Sequence, residues 1–196
     1  MKGRTVDPDA ELMLEFVQGN LLAFEQILKK YKSSVMNIAY HFIQDRAEAE
    51  DIAQEVFLKV HNSANRYSPS AKFSSWLYKI TTNTCLNKLR SKKYLQIVSL
   101  NKSMQSAKNG INIEIPDTSS RYSEESEKNE LCRLLKKAID SLPVNQRMAT
   151  ILQKYEELSY REIAEIMECS TSAVDSLLHR AKQNLKRKLA PYLKKT

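Results

Sequence analysis

The chain has 196 residues, enough for one large domain or two small ones, and 31 lysines and arginines against 23 aspartates and glutamates. The resulting charge of +8 and pI near 9.3 favour a polyanionic partner. Only three glycines and five prolines occur, and apolar residues recur at three- and four-residue spacing, so a strand-rich fold is excluded and an all-α one is predicted. No run of 18 apolar residues and no signal-like N-terminal core is found, giving the expectation of a cytoplasmic protein without membrane insertion. Cys85, Cys132 and Cys169 are far apart and His41, His61 and His179 are isolated. Their spacing suggests no disulfide framework, metal site, cofactor or catalytic centre, so the chain is not read as an enzyme.

In chain order, Asp7 caps a first helix with Pro8 in its first position, and Gly19 fits its end. Phe24, Ile27, Leu28, Tyr31, Val35, Ile38, Ala39 and Phe42 carry a stripe through one long helix or two short ones. Asp45 and Glu48 form a D-x-x-E capping box for the next, whose inner face is Ala49, Ile52, Ala53, Val56, Phe57 and Val60. After the break "NRYSPSAKFSS" a further helix is predicted from near Ser74 to about Lys93. Residues 98–127 lose periodicity and are serine-rich, which predicts a flexible linker between a first domain (7–97) and a second (128–196).

The second domain opens on a helix carrying Leu131, Leu134, Leu135 and Ala138, then one begun by Pro143 and built on Met148, Ile151, Leu152 and Tyr155. Ser159 and Glu162 make an S-x-x-E capping box, with Leu158 and Ile163 placed for a hydrophobic staple. Ser170 caps a last helix with the stripe Val174, Leu177, Leu178, Ala181, Leu185 and Leu189, ending before Pro191. Two helices joined by a tight turn, with Ala164 at the crossing, fit a helix-turn-helix or a hairpin serving only as core. Charge favours the former. From His179 onward there are Arg180, Lys182, Lys186, Arg187, Lys188, Lys194 and Lys195 and no acid, the monopoly that a helix held beside phosphates requires.

Two further stripes carry candidate chemistry. Asp51, Gln54, Glu55 and Leu58 lie at i, i+3, i+4 and i+7, opposite the apolar face of their helix; the spacing alone fits a solvated surface as well as a docking line. Trp76, Lys79, Asn83, Asn87 and Arg90 line one face of the next helix. An aromatic beside amides and cations suits unpaired bases, but a lone tryptophan also serves as a buried anchor.

"EAEDIAQEVFLKV", then "FSSWLYKITTNTCLNKLR", then "LPVNQRMATILQKYEELSYREIAEIMECSTSAVDSLLHRAK" together resemble the extracytoplasmic-function (ECF) class of bacterial sigma factors, across both domains in order. The resemblance implies a promoter-specificity subunit that binds RNA polymerase core, on the clamp helices of its largest subunit and on the flap, and melts promoter DNA. It assigns Asp51, Gln54, Glu55 and Leu58 to polymerase binding. Arg66, Trp76, Lys79, Asn83, Asn87 and Arg90, with the loop Asn65 to Lys72 as a specificity loop, fall to the minus-ten element. Ser172, Asp175, Ser176, His179, Arg180, Lys186 and Arg187 fall to the minus-thirty-five element. The linker would thread toward the RNA exit channel, and an anti-sigma factor is a common further partner in the family. Two departures stand out: Asp175 and Leu177 occupy positions where many members carry arginine, and Glu168 stands where a helix-turn-helix often has glycine. The competing readings are a two-domain helix-turn-helix regulator that binds DNA without core polymerase, and a helical adaptor with a basic tail.

Overall fold

The computed structural model describes residues 7–69, 72–106 and 127–193, with side chains described through Lys92 and again from Arg133. All secondary structure among these residues is helical: α1 (Pro8–Val17), α2 (Leu21–Ile43), α3 (Arg46–Ser63), a 3-10 turn (Ala64–Arg66), α4 (Phe73–Ser106), α5 (Glu127–Asp140), α6 (Val144–Tyr155), α7 (Tyr160–Met167) and α8 (Thr171–Leu193). The two-domain, all-α architecture is as the sequence predicts. α1 to α4 form one bundle; α5, α6 and α7 pack around α8 to form the other.

The N-terminal bundle begins with a shared carboxylate. Asp7 Oδ1 accepts from the Asp9 amide at 3.2 Å, capping α1, while its Oδ2 accepts from the Phe73 amide at 2.7 Å, capping α4 sixty-six residues away. Beside it, buried Asp9 accepts from Lys30 Nζ and from the Tyr31 hydroxyl, each at 2.6 Å. Burial, then the bond to Asp9, pushes the Tyr31 phenol well above its ordinary range, so it stays a donor. α2 is one unbroken helix, capped by Asn20. α3 buries its whole predicted stripe. Its capping box is only half built, since Asp45 accepts from the Glu48 amide at 3.0 Å while the Glu48 carboxylate pairs with Lys92 at 2.6 Å.

α4 runs past the predicted end at Lys93 to Ser106, so part of the stretch read as linker is helix. No proline or glycine falls between Phe73 and Ser106 to stop it, and the serines that suggested a loop are tolerated in a helix. The rest of the expected linker, 107–126, lies outside the described residues. Thr81, Thr82 and Thr84 are buried in α4, each hydroxyl bonded to the carbonyl four residues earlier, which removes the cost of an unsatisfied group.

In the C-terminal bundle the Ser159–Glu162 capping box is complete, and Ser170 Oγ caps α8 by accepting from the Ala173 amide at 3.1 Å. α8 does not end before Pro191 but carries it inside its last turn. There the ring removes one hydrogen bond of a helix that is about to end anyway. Its stripe is buried at Val174, Leu178 and Ala181 and half-buried at Leu177, Leu185 and Leu189. Leu135 and Tyr155, read as inner residues, are 41% exposed; Leu131 falls outside the described side chains.

Beyond what the sequence predicts, the two bundles dock on each other, α2 against α6 and α4 against α7, so that one apolar cluster runs through both. Tyr155 stacks on His41 with centroids 3.5 Å apart, Arg147 lies over the Phe42 ring, and Lys136 Nζ bonds the Tyr40 hydroxyl at 2.7 Å.

Removing the Asp7 carboxylate tests whether one residue ties α1 to α4. Asp7→Ala should lower the unfolding free energy by about 2 kcal/mol, about 1 for each lost cap, in urea titrations followed by circular dichroism. A loss under about 0.5 kcal/mol, the range of an ordinary surface change, would show that the two caps contribute nothing.

Candidate nucleic-acid and partner interfaces

Asp51, Gln54, Glu55 and Leu58 are all exposed on one side of α3, Leu58 at 63%. Gln54 and Leu58 form one wall of a groove of about 1310 Å³ between α2 and α3. Its other wall, Leu22, Phe24, Leu28 and Met36 of α2, was missed from sequence, because Phe24 and Leu28 read there as core. The signal was present in Leu21 and Leu22, two adjacent apolar residues at a helix start, which stand 70% and 66% exposed. Lys29, Lys32, Arg46 and Glu50 surround the apolar floor with charge, so the groove fits a partner with an apolar ridge and polar flanks. Glu55 is not free for such a partner alone, being paired with Lys59 at 2.6 Å.

The α4 stripe divides into two uses. Arg66, Asn83 and Asn87 meet in an open cleft of about 500 Å³ between the end of α3 and α4, together with Lys59 and Asn62, which the sequence reading did not single out. Three amides and two cations offer base-edge hydrogen bonds beside phosphate-holding charge. Lys59 Nζ also donates to Thr84 Oγ1 at 3.0 Å, which fixes it over the cleft. Trp76 is half-buried with its ring 5.0 Å from Tyr67 and 5.9 Å from Phe73, so much of its surface serves as an anchor. Burial raises the Tyr67 hydroxyl beside it to about 12. Lys79 faces the other way, bonded to Glu168 at 2.5 Å, and Arg90 is exposed one turn beyond Asn87.

On α8, Ser172, Asp175, Ser176, His179, Arg180, Lys186 and Arg187 are all exposed, as a recognition helix requires. His179 Nε2 shares a hydrogen bond with Gln183 at 2.9 Å, and Arg187 donates to Asn184 at 3.0 Å. Asn184 in turn donates to Gln146 of α6 at 2.8 Å, which ties the helix to the bundle behind it. The turn before α8 has Glu168 in the left-handed region, φ 53°, so the conformation glycine favours is kept with a glutamate in it. Among the described residues no group of histidines, cysteines or carboxylates is placed to hold a metal ion, and no helix is long and apolar enough to cross a membrane.

A helix-turn-helix with a basic recognition helix, on one chain with a bundle carrying an amide-rich cleft and an apolar groove, defines a DNA-binding protein with a second, protein partner. Comparison with known proteins makes the class specific. Residues 27–94 match sigma-70 region 2 and residues 132–185 match sigma-70 region 4. The chain is 30% identical to the ECF RNA polymerase sigma factor SigW of Bacillus subtilis over 180 residues, 88% of this chain and 91% of that one. It is 27% identical to the RNA polymerase sigma-H factor of Pseudomonas aeruginosa over 97% and 98% of the two chains. Among solved structures it resembles CnrH in complex with the cytosolic domain of CnrY, with TM-score 0.69 at 20% identity over 94% and 99% of the two chains. The chain belongs to the sigma-70 family, in its ECF class, and is an RNA polymerase sigma factor. The family is one of non-enzymatic transcription initiation factors.

Glu162 gives a pH test of the geometry. Lys72 and the Ser159 cap hold its carboxyl down at about 2. The folded chain therefore binds fewer protons there than the unfolded chain, whose carboxyl keeps the ordinary value of 4.5. The stabilisation is present above pH 4.5 and is lost as pH falls through 4.5 toward 2. Glu162→Gln keeps the cap but not the charge, so its melting temperature should lie below the wild type's at pH 7 and converge on it in acid. A difference that does not change with pH would mean the charge contributes nothing.

Proposed function

We propose that the α2–α3 groove is the main core-polymerase contact, through Asp51, Gln54, Glu55 and Leu58 and the α2 wall. The α3–α4 cleft takes the minus-ten element, with Lys59 and Asn62 joining Arg66, Asn83, Asn87 and Arg90. Trp76 borders this face, and Lys79 reaches it when released from Glu168. α8 takes the minus-thirty-five element: Ser172, Asp175, Ser176 and His179 on its early face are placed for base edges, while Arg180, Lys186 and Arg187 are placed for phosphates. On this reading residues 7–97 and 128–196 divide the work of region 2 and region 4. The protein acts in the cytoplasm, has no catalysis of its own, and has an anti-sigma factor as a further partner. The observation that carries the reading is the pairing of an apolar, charge-rimmed groove with a cation–amide cleft on the two sides of α3. A ligand-sensing regulator has no need of both.

Run-off transcription with purified core enzyme is the direct test. Leu58→Asp places a charge on a residue already 63% exposed, so folding should be unchanged while co-purification with core and run-off product both fall at least tenfold. Undiminished binding would remove the groove from the polymerase interface. Specific DNA binding by the wild type at a palindrome without core would favour the regulator instead.

Reading and holding separate along α8. A base-edge contact discriminates by about 1–3 kcal/mol, so Asp175→Ala or Ser176→Ala should reorder a panel of single-base minus-thirty-five variants bound by holoenzyme. Lys186→Ala should weaken all of them alike and lower the salt slope by about 1. The reverse pattern would mean that the helix enters the groove in another orientation.

A further inference from the structure

One acid interrupts the charge of the last helix. Between Thr171 and Leu193, α8 carries Arg180, Lys182, Lys186, Arg187 and Lys188, and Asp175 is its single carboxylate. Asp175 is exposed, and among the described residues its carboxylate takes part in no ion pair or hydrogen bond. The positions three and four residues to either side, where a helix forms its ion pairs, hold Thr171, Ser172, Leu178 and His179. The first lysine on its own edge of the helix is Lys182, two turns or about 10 Å along the axis. Asp175 also lies past the first turn, so the positive end of the helix does not account for it. A carboxylate in that place lowers affinity for DNA as such, since it faces the phosphate field that the five cations on the same helix are placed to meet. What explains it is a donor, and in the major groove the donors are base amines.

We propose that Asp175 is a specificity-determining residue that selects cytosine in the minus-thirty-five element, its carboxylate accepting from the exocyclic N4 amine. The inference rests on the reading of α8 as the recognition helix and adds the identity of one base. Ionised, the carboxylate has acceptors and no donor. Of the four major-groove edges, guanine shows two acceptors, thymine an acceptor and a methyl group, adenine a donor beside an acceptor, and cytosine a donor alone. Only cytosine meets the carboxylate without presenting an acceptor to it, which orders the bases as cytosine, then adenine, then thymine and guanine. Position agrees with this chemistry. Asp175 stands one turn before His179 and next to Ser176, on the early part of the helix that meets base edges, while Lys182 and Lys186 continue its edge outward to where phosphates lie. Part of the selection is repulsion: a carboxylate that finds no amine is left without a partner beside base acceptors, and cytosine removes that cost most fully.

The test uses holoenzyme reconstituted from core enzyme and the full chain, with a pool of promoter duplexes randomised through the minus-thirty-five segment, selected by binding and sequenced. Wild type, Asp175→Asn, Asp175→Ala and Ser176→Ala are compared; both positions are exposed, so all should share one circular dichroism spectrum. The wild-type pool should show one position where cytosine is favoured about fivefold to 150-fold over thymine or guanine, with adenine between. With Asp175→Asn that position alone should turn to adenine, whose N6 and N7 fit an amide. With Asp175→Ala its preference should vanish, and duplexes with thymine or guanine there should bind tighter than they bind the wild type. That gain marks a reading carboxylate, because loss of a merely structural one would weaken every duplex alike. A wild type that prefers another base at the position Asp175 controls overturns the inference. So do Asp175 variants that leave the selected sequence unchanged while Ser176→Ala alters it, an outcome that keeps α8 as the reader. A wild type that selects no sequence there, or a selection untouched by all three variants, removes the reading of α8 as well.

Discussion

The Asp7 carboxylate fixes the start of α4, and most of what the molecule presents to partners follows from where that helix starts. One oxygen caps α1 and the other receives the Phe73 amide, so the first turn of α4 is held against the first turn of the chain. With Phe73 fixed, the 3.6-residue period places Leu77, Thr81, Thr84 and Cys85 inward. Burial raises the Cys85 thiol to about 12, which leaves it an inert packing group rather than a reactive one. The same register turns Asn83 and Asn87 toward α3 and Ser75 and Lys79 toward α7, across the seam between the bundles, with Lys72, just ahead of the helix, bonded to Glu162 of α7. A slip by one residue would rotate all three faces by about 100 degrees and empty both the cleft and the seam.

α3 couples the two sides of the N-terminal bundle through a single cation. Lys59 bonds Glu55, one turn earlier on the exposed stripe of α3, and Thr84, in the wall of the cleft. It thereby neutralises part of the acidic stripe while holding its positive end over the amides. An exposed pair of this kind contributes little to stability. Its value is positional: the long side chain crosses from one helix to the other and is held at both places. Any partner that draws Glu55 away leaves Lys59 with more of its charge for the cleft.

How much of this the sequence carries depends on range. The caps at Asp7, Asp45, Ser159 and Ser170 were readable because each involves residues two or three apart, and the full inner face of α3 was readable from its period. The end of α4 and the position of Pro191 were not, because a serine-rich tail and a proline argue against helix only as averages. The second wall of the groove was hidden for a different reason. Phe24 and Leu28 obey the core period of α2 yet lie at its edge, and periodicity does not say where a buried stripe stops. Docking of the bundles was out of reach altogether, since Lys72 and Glu162 are 90 residues apart and each reads alone as ordinary surface.

Glu168 shows how a local oddity and a long-range contact explain each other. With only three glycines, the chain places Gln44, Glu157 and Glu168 in left-handed backbone, each at a cost of about 1–2 kcal/mol. Gln44 offsets this within its own turn, its side-chain amide donating to the His41 carbonyl at 2.9 Å. Glu168 has no such bond in its own turn; its carboxylate instead reaches Lys79 on the other bundle. Glycine there would serve the turn better and the seam not at all. The strained residue at the centre of the helix-turn-helix is thus explained by its partner on α4, which is why the sequence showed it as a departure from pattern and the structure shows it as a contact.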